Sequence, residues 1–271
     1  MMSAFFLVVA FFLPMTILLP YLAGQNPLLW VLLIPVGFVM GTFLVLLFVR
    51  GIYTLFPAAS DGKFKVFKDR SAILWSIENA FSNPVLNTFQ GVLFMNEHLR
   101  TFFLWCLRSQ IHPKAMITTR TIIGNPRLLF IDKGVLIGEH AHLAPSIQPK
   151  VGLLFVSRIR IGADSLIAGY VSVLPGVWVG RGCCVQAHSF LSLNVRLGDR
   201  VTIGARSVIN EGVTVGEGSR IGKDCRIMAG AVIPPKTIIK DGQVVTRLEF
   251  SLQKPSKEVG LTVAPEKFLQ L

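Results

Sequence analysis

The side chains best suited to chemistry near neutral pH are the histidines, because an unperturbed imidazole has a pKa of about 6.5. A histidine that lies against a hydroxyl or an amine can accept its proton and so act as a general base. The sequence contains five: His98, His112, His140, His142 and His188. The four cysteines include no pair with the spacing of a zinc site, so we expect no metal cofactor.

A six-residue repeat defines the elements that position three of these histidines. An aliphatic residue recurs at every sixth position from Ile161 to Ile239, and a second series four positions later, from Ser165 to Thr237, contains only Ser, Val, Cys, Ala or Thr. Neither a helix nor an alternating strand has this period, so the repeat predicts a solenoid with both series facing inward. A glycine follows the aliphatic residue in every third repeat, which predicts coils of 18 residues whose corners turn sharply or take positive φ. These glycines are Gly162, Gly180, Gly198 and Gly216.

The register extends back through Phe155 and Pro149 to Ile131, so we expect a parallel β-helix over residues 121–244 with about six coils. Within it, His140, His142 and His188 occupy outward positions that a bound molecule can reach. His98 and His112 precede the repeat, and we expect structural roles for both.

Two uncharged segments, residues 4–23 and 28–49, are each long enough to cross a bilayer. They predict a transmembrane helical hairpin over residues 1–56. A cleaved signal peptide is the alternative, but no Lys or Arg precedes the first apolar run. Basic residues follow the second segment: Arg50, Lys63, Lys65, Lys68 and Arg70. By the positive-inside rule, we expect a multi-pass protein of the inner (cytoplasmic) membrane, in contact with membrane lipid, with the β-helix on the cytoplasmic side.

Residues 57–120 form a basic stretch and connector helices. The spacing predicts one helix over residues 71–81 that ends before Pro84. A second helix follows Asn96, with an apolar face and with Arg100 and Arg108 opposite that face. It lies either in the membrane interface or against the top of the β-helix. The tail, residues 245–271, is expected to cap the open end.

The repeat resembles the hexapeptide-repeat family of left-handed parallel β-helix proteins, many of which are acyltransferases. Residues 203–222, IGARSVINEGVTVGEGSRIG, carry the resemblance most clearly. A second resemblance concerns the order of the segments. Two membrane helices are followed by the basic stretch 61–70, the connector helices and a repeat that contains VQAHSF at residues 185–190. This order resembles the membrane-embedded C-terminal region of poly-lysine-synthetase-type nonribosomal peptide synthetases, without an adenylation or carrier domain.

The family resemblance implies an acyl-CoA donor, a hydroxyl or amine acceptor and a histidine base. His188 is the candidate base, with His140 and His142 as alternatives. The resemblance also implies that Ala229 and Gly230 admit the pantetheine arm of acyl-CoA. Lys236 and Lys240 would then meet its phosphates. It implies a homotrimer in which the sites lie in clefts between chains.

Two features depart from the acyltransferase pattern. The stretch 161–244 has no room for an extruded loop, so the candidate loop is 149–160. No acidic residue lies beside His188 in the sequence, although Asp164, Asp199 or Glu211 could approach it through folding. The alternative function is therefore a non-catalytic, membrane-anchored scaffold for a partner that synthesises a peptide or a polysaccharide.

Three other classes are disfavoured. The two-residue spacing of His140 and His142 does not match the zinc ligands of a γ-type carbonic anhydrase. Membrane segments occupy the place where a sugar nucleotidyltransferase carries its nucleotide-binding domain. Nothing in the sequence resembles a nucleic-acid-binding module, and the net charge of +12 suits anionic lipid headgroups or a phosphorylated cofactor instead.

Overall fold

A computed structural model describes residue 16 and residues 27–66, 68–93, 97–118 and 120–246. Apart from Thr16, the first predicted membrane helix (residues 4–23) lies outside this range, as does most of the predicted capping tail. Within the part of the chain that is described, no helix combines the length and the hydropathy needed to cross a membrane.

Within the described residues, three helices of known extent precede the solenoid. They are α1 (Pro27–Leu55), α2 (Arg70–Leu93) and α3 (Glu97–Cys106), and a short strand, β1 (Gly62–Lys65), lies between the first two. The prediction that a helix ends before Pro84 is wrong, because α2 continues through this residue. A proline removes one backbone hydrogen bond and bends a helix without necessarily ending it.

The rest of the described chain winds into a three-sided parallel β-helix in which each face is a seven-stranded sheet. The first face consists of β2 (Gln110–Ile111), β5 (Leu129–Ile131), β10 (Ile159–Ile161), β13 (Trp178–Val179), β16 (Arg196–Leu197), β19 (Thr214–Val215) and β22 (Val232–Ile233). The second consists of β3 (Met116–Ile117), β6 (Leu136–Ile137), β11 (Leu166–Ile167), β14 (Cys184–Val185), β17 (Thr202–Ile203), β20 (Arg220–Ile221) and β23 (Ile238–Ile239). The third consists of β4 (Ile122–Ile123), β7 (His142–Leu143), β12 (Ser172–Val173), β15 (Phe190–Leu191), β18 (Val208–Ile209), β21 (Arg226–Ile227) and β24 (Val244–Val245).

The β-helix begins at Gln110 and has seven coils, so the predicted start at residue 121 and the predicted count of about six coils are corrected. The aliphatic residues of the first coil, Ile111, Ile117 and Ile123, keep the six-residue spacing among themselves. A 3-10 helix, Pro126–Leu128, then adds two residues before the next strand. This shift puts the first coil out of phase with the rest, which hides it from a search for a continuous repeat.

A hairpin leaves the β-helix between the third face of the second coil and the first face of the third coil. Its strands, β8 (Ser146–Lys150) and β9 (Leu153–Val156), are antiparallel, and β9 also pairs with β1. The expected continuation of the repeat through Pro149 and Phe155 is therefore wrong. The insertion adds two repeat lengths, so the register returns unchanged at Ile161. The candidate loop 149–160 falls partly on this hairpin.

The core is formed by the two inward series that the sequence predicts. Every aliphatic repeat residue from Ile161 to Ile239 is buried, and together they form one continuous cluster with the small residues. The buried serines satisfy their hydroxyls along the axis of the solenoid: Ser165 Oγ donates to Gly180 O (2.8 Å) and accepts from Cys183 N (3.0 Å). Each such serine links consecutive coils without leaving a polar atom unpaired.

Positive φ recurs at every sixth residue from Asp164 to Gly242, one residue at each corner. The repeat glycines Gly162, Gly180, Gly198 and Gly216 are not among these positions, so sharp or left-handed backbone does not explain them. A Cβ at Gly180 would lie 2.6 Å from the carbonyl carbon of Gly198. Close approach of neighbouring coils therefore requires glycine there.

Helix α3 packs on the first coil, as one of the two predicted placements requires. Leu104 is fully buried and belongs to the core of the solenoid. The prediction that Arg100 lies opposite the packed face is wrong: Arg100 is buried and donates to the carbonyl oxygens of Thr118 and Thr121. Burial lowers the pKa of Arg100 to about 10, which still leaves it charged at neutral pH.

A buried ion pair ties α1 and α2 to the β-helix. Arg127 donates to Glu78 Oε1 (2.8 Å) and to the carbonyl oxygen of Phe56 (2.9 Å). Tyr53 donates its hydroxyl to the carbonyl oxygen of Glu78 (2.9 Å). The cluster of Arg127, Glu78 and Tyr53 thus connects α1, α2 and the β-helix. Burial raises the pKa of Glu78 despite the neighbouring guanidinium.

Candidate functional site

Two of the outward histidines meet at one corner of the solenoid. His140, Tyr170 and His188 occupy equivalent positions on consecutive coils between the second and third faces, and their rings form a stack. The ring centroids of His140 and Tyr170 are 4.9 Å apart, and those of Tyr170 and His188 are 4.8 Å apart. All three residues have φ between 55° and 60°. The left-handed backbone of this corner therefore points the three side chains outward, one above the other.

The same corner continues with a charged pair. Arg206 lies one coil beyond His188, and its guanidinium binds Asp224 on the next coil through two hydrogen bonds, Nε to Oδ1 (2.7 Å) and Nη2 to Oδ2 (2.6 Å). The bonds from Arg206 lower the pKa of the Asp224 carboxyl. The guanidinium is therefore held in a defined position beside the exposed side chain of His188.

The other histidines lie elsewhere. His142 is on the third face, between Ile122 and Ser172, and partial burial lowers the pKa of its imidazole. His112 is on the first coil, where its Nδ1 accepts a hydrogen bond from Lys114 N (3.0 Å). The side chain of His98 is outside the described residues. Among the residues that are described, no group of three side chains could hold a metal ion.

The carboxylates considered as partners of His188 do not reach it. Asp164 and Asp199 lie at the corner between the first and second faces, and Asp199 accepts a hydrogen bond from Arg181 N (2.8 Å). Glu211 lies at the corner between the third and first faces. Within the described part of the chain, no carboxylate is hydrogen-bonded to His188, whose ring is oriented by the stack on Tyr170.

A groove of about 650 Å³ runs along the second face beside this corner. It starts at Gln186, two residues before His188, and continues over the last three coils. Among the residues that line it are Gln186, Gly204, Arg220, Gly222, Lys223, Lys240 and Asp241. Three of these are cationic and one is acidic. A Cβ at Gly204 would lie 2.4 Å from the backbone of Gly222, so the close approach of neighbouring coils requires glycine there.

The four predicted cofactor residues do not come together. Lys240 lines the groove, whereas Ala229 and Gly230 lie at the corner between the third and first faces. Lys236 lies at the corner between the first and second faces, with φ of 58°. Ala229, Gly230 and Lys236 therefore lie at other corners of the solenoid than His188.

Sequence reasoning missed Tyr170, Arg220 and Lys223. Tyr170 and His188 are 18 residues apart, one full coil, so the coil length was a usable signal for their contact. Arg220 and Lys223 offered no such signal, because surface cations are common in this chain and the groove exists only once the coils are stacked.

The family model described as "Bacterial transferase hexapeptide (six repeats)" matches residues 194–223. A comparison with curated protein sequences gave no match. The solved structures that are similar over part of the chain include the following three. PerB from Caulobacter crescentus, in complex with CoA and GDP-perosamine, is 21% identical over 55% of this chain and 62% of its own, with a TM-score of 0.36.

The second is the acetyltransferase domain of PglB from Neisseria gonorrhoeae FA1090, in complex with acetyl coenzyme A. It is 19% identical over 56% of this chain and 63% of its own, with a TM-score of 0.37. A hexapeptide transferase family protein from Anaplasma phagocytophilum is 16% identical over 55% and 80%, with a TM-score of 0.38. The match thus spans less than two thirds of the PerB and PglB chains.

Proposed function

We propose that this protein is an acyl-CoA-dependent acyltransferase that moves an acetyl group to a hydroxyl or amine acceptor. The observation that carries the proposal is the groove beside the His188 corner. Arg220, Lys223 and Lys240 are suited to the phosphates of CoA. Gly204 and Gly222 leave room for the pantetheine arm to approach the backbone. This arrangement replaces the predicted cofactor residues except Lys240.

The chemistry assigned to His188 is general-base catalysis. Its imidazole accepts the proton of the acceptor hydroxyl or amine while that oxygen or nitrogen attacks the thioester carbonyl carbon. The new C–O or C–N bond forms, the C–S bond breaks, and the imidazolium returns its proton to the departing thiolate of CoA. His188 is exposed at the corner, so an acceptor can approach from outside while acyl-CoA lies along the second face.

Tyr170 is assigned a positioning role. Its ring lies nearly parallel to that of His188, with an angle of 6° between the planes. This contact restricts rotation of the imidazole in the absence of a carboxylate partner. His140 covers the other face of Tyr170 and completes the stack.

We further propose that the protein is attached to the inner membrane through its N-terminal region, with the β-helix in the cytoplasm. The support is the sequence of residues 4–23 and 28–49 together with the apolar side chains that α1 exposes. Val39 and Phe48 are 65% and 60% exposed, which is unfavourable in water and favourable in lipid. A cytoplasmic β-helix has access to acyl-CoA.

Binding of acetyl-CoA to the purified full-length protein tests the catalytic proposal. Isothermal titration should show saturable binding, and Arg220→Gln or Lys240→Gln should weaken it by roughly tenfold each, since hydrogen bonds to charged groups contribute about 1.5–3 kcal/mol. Lys133→Gln changes an exposed lysine away from the groove and should have no effect. Lys236→Gln tests the cofactor role that the sequence predicts for Lys236. Because this residue lies away from the groove, the groove proposal expects no effect on binding.

Absence of binding at millimolar acetyl-CoA would refute the proposal. The non-catalytic scaffold would then be the better account of the chain.

A further inference from the structure

A second pocket, of about 430 Å³, lies where the end of α1, the end of α3 and the first coil meet. We call it the junction pocket. Arg50, Trp105, Arg108, His112 and Asp132 are among the residues that line it. It is at the opposite end of the solenoid from the groove, and the acyltransferase proposal does not use it.

The arginines that line the junction pocket are held in place by hydrogen bonds to backbone carbonyl oxygens. Arg50 donates one hydrogen bond to the carbonyl oxygen of Trp105 (3.0 Å), and Arg108 donates one to that of Tyr53 (3.0 Å). Each guanidinium carries five N–H groups, so these bonds fix the side chains and leave donors for a ligand. Within the described residues, Asp132 forms no ion pair with either arginine.

His112 adds a further donor. Its Nδ1 accepts a hydrogen bond from Lys114 N (3.0 Å), so the neutral ring carries its proton on Nε2. The lining thus offers two fixed guanidinium groups and an imidazole N–H against a single carboxylate. This balance favours a phosphate group over a cation.

An apolar surface continues from the pocket. The ring of Trp105 is 47% exposed, lies under the Arg50 guanidinium at 4.3 Å and stacks on Phe102. Phe102 in turn stacks on Phe43 of α1, with ring centroids 6.3 Å apart. Exposed apolar side chains of α1, including Leu47, extend this surface. A ligand that fits the whole site carries an anionic head and an apolar chain.

We infer that the junction pocket binds the phosphate headgroup of an anionic phospholipid whose acyl chain lies along Phe43, Phe102 and Trp105. Arg50 is the first charged residue after the apolar run 28–49, which places it at headgroup depth. An arginine over a tryptophan is suited to this boundary, because each has an apolar body and a polar end. The inference rests on the proposed membrane attachment and is independent of acyl transfer.

Quenching of tryptophan fluorescence by brominated lipids tests the inference, and the difference between wild type and Trp105→Phe isolates the contribution of Trp105 from those of the other three tryptophans. The full-length protein is placed in phosphatidylcholine vesicles that contain a small fraction of either brominated phosphatidylglycerol or brominated phosphatidylcholine. We expect stronger quenching by phosphatidylglycerol, and Trp105→Phe should remove the difference. Each arginine near an anionic surface contributes about a fivefold preference, the equivalent of about 1 kcal/mol. The pair Arg50→Gln and Arg108→Gln should therefore abolish most of the selectivity.

Matched changes separate the possible outcomes. Arg226→Gln alters an exposed arginine on the third face and should leave the selectivity intact. Arg50→Lys with Arg108→Lys keeps the charge and should retain part of it, so loss of selectivity by misfolding is distinguishable. Equal quenching by both lipids, or selectivity that survives the glutamine pair, would overturn the inference. Removal of the selectivity by millimolar inorganic phosphate would assign the pocket to a soluble phosphate instead.

Discussion

At the scale of single residues, the corner geometry decides which histidine can serve as a base. The predicted alternatives His140, His142 and His188 all face outward, and sequence offers no means of ranking them beyond the family resemblance. Stacking of the coils separates them: His142 lies on a flat face, His140 at the far end of the ring stack and His188 beside the groove. The 18-residue coil length already places Tyr170 next to His188, whereas the groove beside His188 exists only once the coils are stacked.

The first prediction concerns His188→Asn. Asparagine tolerates the left-handed backbone of this corner, where φ is 60°, so the fold should be retained. Loss of the base should lower kcat for acyl transfer by about 10²–10⁴-fold, while the dissociation constant for acetyl-CoA stays the same. Steady-state kinetics and titration measure the two effects separately.

His142→Asn is the matched control and should leave kcat unchanged. Tyr170→Leu should lower kcat by less than His188→Asn does, because it loosens the imidazole without removing it. Full activity of His188→Asn would move the role of base to His140 or His142.

At the scale of elements, the repeat was readable because its period is strict wherever both inward series are buried. The prediction from the repeat was wrong where the chain departs from that period. The two-residue shift at Pro126–Leu128 hid the first coil, and the hairpin of β8 and β9 was hidden because it adds a whole number of repeats. The burial of Arg100 was also not predicted. Helical spacing groups residues by helix face, but it does not reveal the backbone carbonyl groups that accept hydrogen bonds from the Arg100 guanidinium.

The second prediction compares two glycines of neighbouring repeats. Gly212 has φ of +68°, and a Cβ added there would have no atom within 4 Å, so Gly212→Ala should cost about 1–2 kcal/mol through backbone strain alone. Gly216 has no positive φ, but a Cβ there would lie 2.4 Å from Pro235 N. Gly216→Ala should therefore be the more destabilising change, by about 3 kcal/mol or more.

Denaturant unfolding of the two variants, followed by circular dichroism, gives the comparison. Equal losses of stability would mean that close approach of the coils does not explain the glycine after each third aliphatic residue. A larger loss for Gly212→Ala would point to the corner backbone as the main constraint.

At the scale of the whole molecule, the proposed use of acyl-CoA as donor requires the β-helix to lie on the cytoplasmic side of the membrane. Arg50, Lys63, Lys65, Lys68 and Arg70 follow the apolar run 28–49, which favours a cytoplasmic C-terminal side. A reporter fused after Leu271 should therefore be active as a cytoplasmic protein. An active external reporter would contradict both the orientation and the use of acyl-CoA as donor.

The last prediction concerns assembly. The groove is open on its outer side, and Ile238 on its wall is 62% exposed. A second chain packed against the second face would cover this residue and complete the site, as the trimers of the family it resembles would do. We therefore expect the protein in detergent to have three times the 29.8 kDa mass of one chain.

Ile238→Glu should disrupt assembly, because burying the new carboxylate costs more than its pairing with the adjacent Arg220 returns, and it should weaken acetyl-CoA binding at the same time. Val151→Glu places the same charge at the fully exposed hairpin tip and should do neither. Light scattering of the detergent complex and titration of the same sample measure both properties. A monomer that binds acetyl-CoA with full affinity would show that one chain forms the whole site. A trimer that survives Ile238→Glu would place the interface on another face.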